Sequence, residues 1–127
     1  GYIATHKGAI SWDVDVEEIS FAHIRVMMNL IMIAMACLPK NGDIIVSIKS
    51  TGSAYTIAAD ARGAVKWPDD IDAAMSERVP ANGWDPRTIQ PYFTTLIVKE
   101  LGGQLTARHS ENLIQFVASD LPATIGV

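Results

Sequence analysis

The chain opens with two hydrophobicity patterns of different period. Apolar and polar residues alternate over residues 10–16, which predicts a half-buried strand. Residues 21–38 are almost continuously apolar, contain no Gly or Pro and are too long for a strand, so they predict a helix. Ser20 is the predicted N-cap of this helix, and Pro39 ends it.

The predicted helix has few polar positions, and this decides how it must pack. A helix that is apolar all round needs a sheet against one face and a further cover on the other, from this chain or from a part beyond it. We expect Leu30 and Ile33 to be buried, together with a stripe of methionines at Met28, Met32 and Met35. The polar residues within the helix are His23, Arg25 and Asn29.

Two pairs of strands are predicted further along the chain. Residues 44–48 and 55–59 flank a Ser- and Gly-containing turn at residues 50–53, which indicates a hairpin. Residues 104–108 and 113–118 indicate a second, closing hairpin.

The segment between the hairpins predicts a short helix, a loop and a second long helix. Asp69 is placed to cap the short helix, which is expected to end at Arg78 before a Pro- and Gly-containing loop. Asp85 as N-cap and Pro86 at the first helical position predict the second long helix, which runs to Leu101.

The second long helix carries its own signals for irregularity, termination and burial. Pro91 lies close to the start and predicts an irregular first turn, and Gly102 with Gly103 stops the helix. The predicted apolar stripe consists of Ile89, Phe93, Leu96, Ile97 and Leu101.

The order of elements predicts the fold class. Strand, helix, two strands, an irregular insert, helix and two strands indicate an α/β two-layer sandwich, with the helices on one face of a mixed, mostly antiparallel sheet. The length of 127 residues fits a single domain with one core.

Composition narrows the function classes. Ten basic and fourteen acidic side chains give a formal net charge of -4, which argues against a general nucleic-acid or anionic-membrane binder. The single cysteine, Cys37, excludes an internal disulfide framework and fits a reducing, cytoplasmic compartment. No apolar run is long enough to span a bilayer and no signal peptide is visible. The chain begins with Gly1 rather than Met, which fits a processing scar or a fragment.

One segment carries a resemblance to a known family. Its residues are Arg87, Gln90, Pro91, Tyr92, Gly102 and Gly103, together with Asn29 in the Leu- and Met-rich helix. This pattern resembles the C-terminal domain of the alphaproteobacterial (ChpT-type) histidine phosphotransferases, which is itself similar to the ATP-binding (GHKL-type) domain of sensor histidine kinases. The resemblance covers residues 10–118 and implies a histidine-kinase-like fold.

The resemblance also implies partners and a missing part. Such proteins pass phosphate between receiver domains of response regulators through a histidine on an N-terminal helical hairpin, which dimerises into a four-helix bundle. We therefore expect residues 1–127 to be one degenerate kinase-like domain without this hairpin, and to meet receiver domains. The resemblance also implies a homodimer formed through a hairpin supplied upstream, while the oligomeric state of residues 1–127 themselves stays open.

Three parts of the nucleotide pocket implied by the resemblance depart from the kinase pattern. In working kinases the first helix carries two asparagines at positions i and i+4, and the second of them is a Mg²⁺ ligand. In this chain Asn29 occupies the first position and Ile33 the second, and the isoleucine side chain has no oxygen that could bind a metal ion. The Asp-x-Gly-x-Gly loop is reduced to Asp60, with Arg62 and Ala64 at the two glycine positions. Gly63 lies between them as an additional remnant.

The third departure lies at the start of the second long helix. Working enzymes hold phosphate there on the amides of a Gly-rich segment. Here Pro86 has no amide hydrogen and Asp85 would repel a phosphate. Three independent losses argue against an ATPase, and we expect no cofactor and no metal.

Several residues keep a second interpretation. Asn29 is either a remnant of the pocket or an amide that bonds a neighbouring backbone group, and Asp60 either contacts a purine or forms a turn at a strand end. None of His6, His23 and His109 lies on a long amphipathic helix, so each is interpreted as a surface or capping histidine rather than a phosphoacceptor. We expect no catalytic residue in this chain.

Three hypotheses about function result. The first is a phosphorelay module that binds receiver domains without binding nucleotide. The second is a functional GHKL-type ATPase or kinase domain, which the damaged pocket argues against. The third is a purely structural dimerisation module. The sequence names neither the receiver partner nor the surface that it uses, and whether the chain is an enzyme stays open.

Overall fold

The structure is a computed structural model and describes residues 9–38 and 41–124. It confirms the predicted order of elements, the two-layer α/β sandwich and the presence of a short helix in the irregular insert. The strands are β1 (Ile10–Asp15), β2 (Gly42–Thr51), β3 (Ala54–Gly63), β4 (Gln104–Ser110) and β5 (Leu113–Pro122), and the helices are α1 (Phe21–Ala36), α2 (Asp69–Met75) and α3 (Pro86–Glu100).

The five strands form one mixed sheet in the order β1-β2-β3-β5-β4. The two predicted hairpins are β2-β3 and β4-β5, which pair antiparallel, as do the neighbours β3 and β5. Among the strands of the described residues, β1 and β2 are the one pair that is parallel. This follows from their connection, because a crossover through α1 returns the chain to the end at which it started.

The core lies between the helices and one face of the sheet. Alternate residues on the three central strands are fully buried there, with small alanines on β3 facing larger side chains on its neighbours. These residues are Ile44, Val46 and Ile48 on β2, Ile57, Ala59 and Ala61 on β3, and Ile114, Phe116 and Ala118 on β5. The residues that alternate with these, such as Ile45, Asp60 and Gln115, point to the opposite face, which we call the open face.

The predicted half-burial of β1 is wrong beyond its first residue. Ile10 is buried, but Trp12 and Val14 are exposed although they share its face. β1 is the edge strand, and α1 packs mainly over β3. The helical layer therefore does not reach far enough to cover the edge.

The start of α1 is as predicted, but one part of its expected burial is wrong. Ser20 caps the helix, and Leu30 and Ile33 are buried. Met28 and Met32 are exposed, and Met35 is only partly buried. A helix that lies on a sheet buries one side, and the methionines Met28 and Met32 lie on the other side, which no described element covers.

The short helix differs from its prediction at both ends. Pro68, not Asp69, is the N-cap of α2, and within residues 9–38 and 41–124 no side chain forms a capping hydrogen bond to this helix. The helix ends at Met75 rather than at Arg78, since Glu77 adopts a positive φ of 59° that breaks the helical path.

The second long helix begins as predicted, with Asp85 as N-cap and Pro86 in its first turn, and it continues through Pro91 without a break, so the expected irregular turn is absent. Its predicted apolar stripe is correct only in part. Ile97 and Leu101 are partly buried and pack against the core, and Ile89 and Leu96 are also partly buried, but Phe93 is exposed and none of the five lies on the fully buried face. That face consists of Thr88, Pro91, Thr94, Thr95 and Val98.

Threonines replace aliphatic residues on this face because their hydroxyls are satisfied within the helix. Thr94 Oγ1 donates to Gln90 O and Thr95 Oγ1 donates to Pro91 O, each at 2.8 Å. A buried hydroxyl with such a bond avoids most of the cost of losing water. No helix in the described residues combines the length and hydropathy of a membrane-spanning segment.

Candidate functional site

Two of the sequence-predicted site residues meet where α1 and α3 pack side by side. Gln90 Nε2 on α3 donates to Asn29 Oδ1 on α1 at 3.4 Å and lies 3.3 Å from Met32 Sδ. Asn29 Nδ2 donates to Arg25 O, one turn earlier in the same helix, at 2.8 Å. We call these three residues, Asn29, Met32 and Gln90, the α1–α3 seam. Both ends of the Asn29 amide are thus engaged by protein groups.

Ile33 lies one turn after Asn29 and belongs to the core. Its side chain is 2% exposed and is part of the buried cluster beneath the helices. A hydrocarbon in this environment offers no ligand to a cation, and Mg²⁺ requires oxygen ligands.

At the C-terminal end of α1, a thiol lies near an ion pair between α2 and α3. Arg87 Nη1 donates to Asp70 Oδ2. Burial raises the pKa of the Cys37 thiol to about 11, with Arg87 opposing this rise and Asp70 adding to it. Cys37 is therefore a neutral, unreactive thiol at neutral pH.

The expected loop that contains Asp60 is wrong, because residues 60–63 continue strand β3. Asp60 lies between Ile45 and Gln115 in register, on the open face. Its Oδ1 is buried and has no hydrogen-bond partner among the residues that the structure describes. The interpretation of Asp60 as a turn residue at a strand end is also wrong. Arg62 is exposed two residues further along the same face, opposite Asp43.

The structure therefore separates the sequence-predicted pocket residues into two groups. Asn29 and Ile33 lie in the helical layer, whereas Asp60 and Arg62 point away from it. Gly63 ends β3 with φ of 141°, a value that favours glycine, and its N–H donates to Asn112 O at 3.1 Å.

The N-terminus of α3 is closed by its own cap. Asp85 Oδ1 accepts from the Thr88 N–H at 2.9 Å, and Thr88 Oγ1 accepts from the Asp85 N–H at 3.0 Å. Pro86 contributes no N–H. The capping carboxylate occupies the position where an anion would otherwise bind the free amides of a helix N-terminus.

The remaining motif residues have structural contacts. Pro91 lies on the buried face of α3. Tyr92 packs against Trp84, with the ring centroids 4.8 Å apart. Gly102 has φ of 89° and ends α3. Gly103 is required for a different reason, because a Cβ at this position would lie 2.6 Å from Ser119 O.

The described histidines are both held by neighbours. His23 is fully buried: its Nδ1 accepts from the Ser20 N–H at 3.1 Å and its Nε2 lies 2.8 Å from Pro122 O. This assigns the proton to Nε2, and the capping interpretation is correct for His23. His109 is exposed and stacks on Trp67 at 5.1 Å. His6 lies outside the described residues.

Two residues of this region had no sequence signal of their own. Asp70 is one of three acidic residues in a short run, and nothing in the sequence marks it as the partner of Arg87. Met32 belongs to a predicted core stripe but instead contacts Gln90 from the exposed side. In the described part of the chain, no group of three His, Cys, Asp or Glu side chains has the geometry of a metal site.

The fold has many structural relatives. One is described as a bacterial phosphotransferase, and it matches with a TM-score of 0.77 at 19% identity. The match covers 88% of this chain and 55% of that chain. The Acinetobacter baumannii histidine kinase AdeS matches with a TM-score of 0.69 at 13% identity, over 94% of this chain and 57% of its own. The catalytic domain of histidine kinase ThkA matches with a TM-score of 0.68 at 18% identity, over 94% of this chain and 82% of its own.

These likenesses define the class: the chain has the fold of a histidine kinase catalytic domain. Residues 1–113 match the family model of the histidine phosphotransferase C-terminal domain, so the chain belongs to that family. It spans little more than half the length of the phosphotransferase it resembles. A comparison with curated proteins gives no significant match.

Proposed function

We propose that this chain is the part of a histidine phosphotransferase that does not bind nucleotide. It supports phosphoryl transfer between receiver domains of response regulators, in the cytoplasm of a bacterium. The family supports the phosphotransferase assignment. The receiver-domain partners and the absence of ATPase activity are the parts that this proposal adds.

The observation that carries the proposal is the burial of Ile33. At the position where the kinase pattern has a metal ligand, the chain has a hydrocarbon side chain in the core. The α1–α3 seam and the Asp85 cap support it, because they engage groups that would otherwise face a nucleotide. An ATP site would have to break these contacts as well as supply a metal ligand.

The test is titration calorimetry with ATP and with ADP, each with and without Mg²⁺. We expect no measurable binding in any of the four titrations. Micromolar, Mg²⁺-dependent binding would overturn the proposal and support a functional ATPase or kinase domain.

A second test concerns phosphate itself. We expect the isolated chain, incubated with a phosphorylated receiver domain, to acquire no acid-labile phosphohistidine. Both nitrogens of His23 have hydrogen-bond partners, and His109 stacks on Trp67, so neither has the setting of a phosphoacceptor. Labelling of His6, His23 or His109, located by substituting each with asparagine in turn, would assign a phosphoacceptor to this chain and contradict the proposal.

A third test separates the proposed function from a purely structural module. The chain, immobilised at its C-terminus, should retain a receiver domain in a pull-down, and a receiver variant that misfolds should not be retained. Loss of all receiver binding would favour the structural interpretation.

A further inference from the structure

The five methionines of this chain differ in how far solvent reaches them. Met28 and Met32 lie on the outer side of α1 and are 47% and 51% exposed. Met27, Met35 and Met75 are partly buried and pack against the core. A thioether is oxidised to the sulfoxide where an oxidant can reach it. Oxidation of this chain is therefore expected first at the two exposed methionines.

Met32 differs from Met28 in what its sulfur contacts. Gln90 Nε2 on α3 donates to Met32 Sδ at 3.3 Å and to Asn29 Oδ1 at 3.4 Å. Among the described residues, Gln90 makes no such contact with Met28. Both bonds are weak, because a thioether is a poor acceptor and the contact with Asn29 is longer than an ordinary N–H···O bond. The α1–α3 seam thus contains a half-buried amide donor that is only weakly engaged.

A sulfoxide at Met32 supplies the strong acceptor that this donor lacks. Its oxygen carries a large negative partial charge, so it accepts an N–H bond far better than the thioether sulfur does. For the new oxygen to lie at the usual hydrogen-bond distance from Gln90 Nε2, the sulfur must move back by roughly 1 Å. The Met32 side chain is flexible and half exposed, so it can make this movement into solvent.

We propose that Met32 is a reversible oxidation site, at which a hydroperoxide forms a sulfoxide that bonds Gln90 and holds α3 against α1. A sulfur lone pair attacks one peroxide oxygen, so that the S–O bond forms as the O–O bond breaks. The other oxygen takes up the proton and leaves as water or an alcohol; the sulfur is oxidised and the peroxide is reduced. A thiol-dependent methionine sulfoxide reductase reverses the change. This site does not depend on the proposed function.

The main test compares two single sulfoxides on the same helix. Mild treatment of Met28→Leu with hydrogen peroxide oxidises Met32, and the same treatment of Met32→Leu oxidises Met28. A loss of helix propensity is common to both sulfoxides. The change in Tm on oxidation should therefore be more favourable for the Met32 sulfoxide by about 1 to 4 °C, the size expected of one added hydrogen bond. Gln90→Leu, combined with Met28→Leu, removes the donor and should abolish this difference.

A second measurement detects the bond directly and does not depend on stability. Nitrogen–proton correlation NMR resolves the side-chain amides of the glutamines, which are Gln90, Gln104 and Gln115. Oxidation of Met32 should move an amide hydrogen of Gln90 downfield, because a stronger acceptor deshields it. The amides of Gln104 and Gln115, which lie on the sheet, serve as internal controls and should stay unchanged.

The order of oxidation is measured by peptide mass spectrometry during the peroxide reaction, and the two exposed methionines should react before the three partly buried ones. Oxidation of Met32 no faster than that of the partly buried methionines overturns the proposed site. Equal changes in Tm for the Met28 and Met32 sulfoxides, a difference that persists in Gln90→Leu, or an unmoved Gln90 amide signal overturns the proposed bond to α3.

Discussion

Ile33 illustrates how a single side chain decides what a site can bind. It has the spacing from Asn29 that the kinase pattern gives to a metal ligand, yet it is buried among other aliphatic residues. Restoring an asparagine there would restore the residue type without restoring the amides or the loop around it.

We therefore expect Ile33→Asn to destabilise the fold and not to create nucleotide binding. An unpaired amide in an apolar core and the lost aliphatic contacts together cost about 2 to 4 kcal/mol. Urea unfolding measures this loss, with Met28→Asn, on the exposed side of the same helix, as the control. An unchanged midpoint for Ile33→Asn would mean that the region around Ile33 is open to water.

Cys37 is the second residue whose behaviour is set by its surroundings. Its raised pKa of about 11 leaves about 100-fold less thiolate at pH 8 than an ordinary cysteine has. We expect a thiol reagent to label Cys37 at least about 100-fold more slowly than the exposed cysteine of a Thr106→Cys variant. Equal rates would contradict the burial of Cys37.

The same shift has a consequence for stability in alkaline solution. The unfolded thiol ionises near its ordinary pKa of 9.0, while the folded thiol stays neutral up to about 11. Between these values the unfolded state is favoured increasingly as the pH rises. The free energy of unfolding should therefore fall more steeply with pH over this window in the wild type than in Cys37→Ala.

At the scale of elements, the end of α3 depends on two adjacent glycines that are needed for different reasons. Gly102 has a positive φ but open space around its Cα, whereas Gly103 lies against Ser119 and Leu121 of β5. The pair allows helix α3 to stop and β4 to begin beside β5 within two residues.

Alanine at these two positions should therefore have unequal effects. Gly102→Ala costs about 1 kcal/mol because of its positive φ. Gly103→Ala should cost more, about 2 to 4 kcal/mol, because a Cβ at 2.6 Å from Ser119 O requires the backbone to move. Thermal unfolding of both variants checks the order, and a larger loss for Gly102→Ala would contradict it.

The buried face of α3 shows a limit of pattern analysis at this scale. Sequence periodicity assigned the buried face to the large apolar residues, but the structure buries Thr88, Thr94 and Thr95. Hydrophobicity patterns score a threonine as polar, whereas within a helix its hydroxyl bonds the preceding turn and its methyl group packs.

At the scale of the whole molecule, His23 joins three elements. It caps α1 through Ser20, its Nε2–H donates to Pro122 O at the end of β5, and its ring lies 4.7 Å from that of Tyr55 on β3. Tyr55 in turn donates its hydroxyl hydrogen to Glu18 O. This cluster holds the start of α1 against the end of the sheet.

We expect His23→Ala to lower the free energy of unfolding by about 2 to 4 kcal/mol, because it removes a buried ring and leaves buried partners unsatisfied. His109→Ala, which removes an exposed ring stacked on Trp67, should cost less than about 1 kcal/mol. Hydrogen exchange should locate the loss for His23→Ala at the start of α1 and the end of β5. A uniform increase in hydrogen exchange across the sheet would contradict a local stabilising role of His23.

The sequence by itself determined the features that depend on neighbours along the chain. Ser20, Asp85 with Pro86, and Gly102 mark helix ends through local hydrogen bonds and dihedral angles, so these ends and the hairpins were predicted correctly. The order of elements then sufficed for the fold class, because few layered arrangements accommodate it.

Only the tertiary structure decided which surfaces are covered. Whether Met28 is buried depends on whether another element covers the side of α1 that faces away from the sheet. Whether Asp60 lies in a pocket depends on how far β3 extends and which face it presents. The contact of Asn29 with Gln90 joins residues 61 positions apart and exists only because α1 and α3 lie side by side. Such contacts depend on packing across the core, which no local pattern encodes.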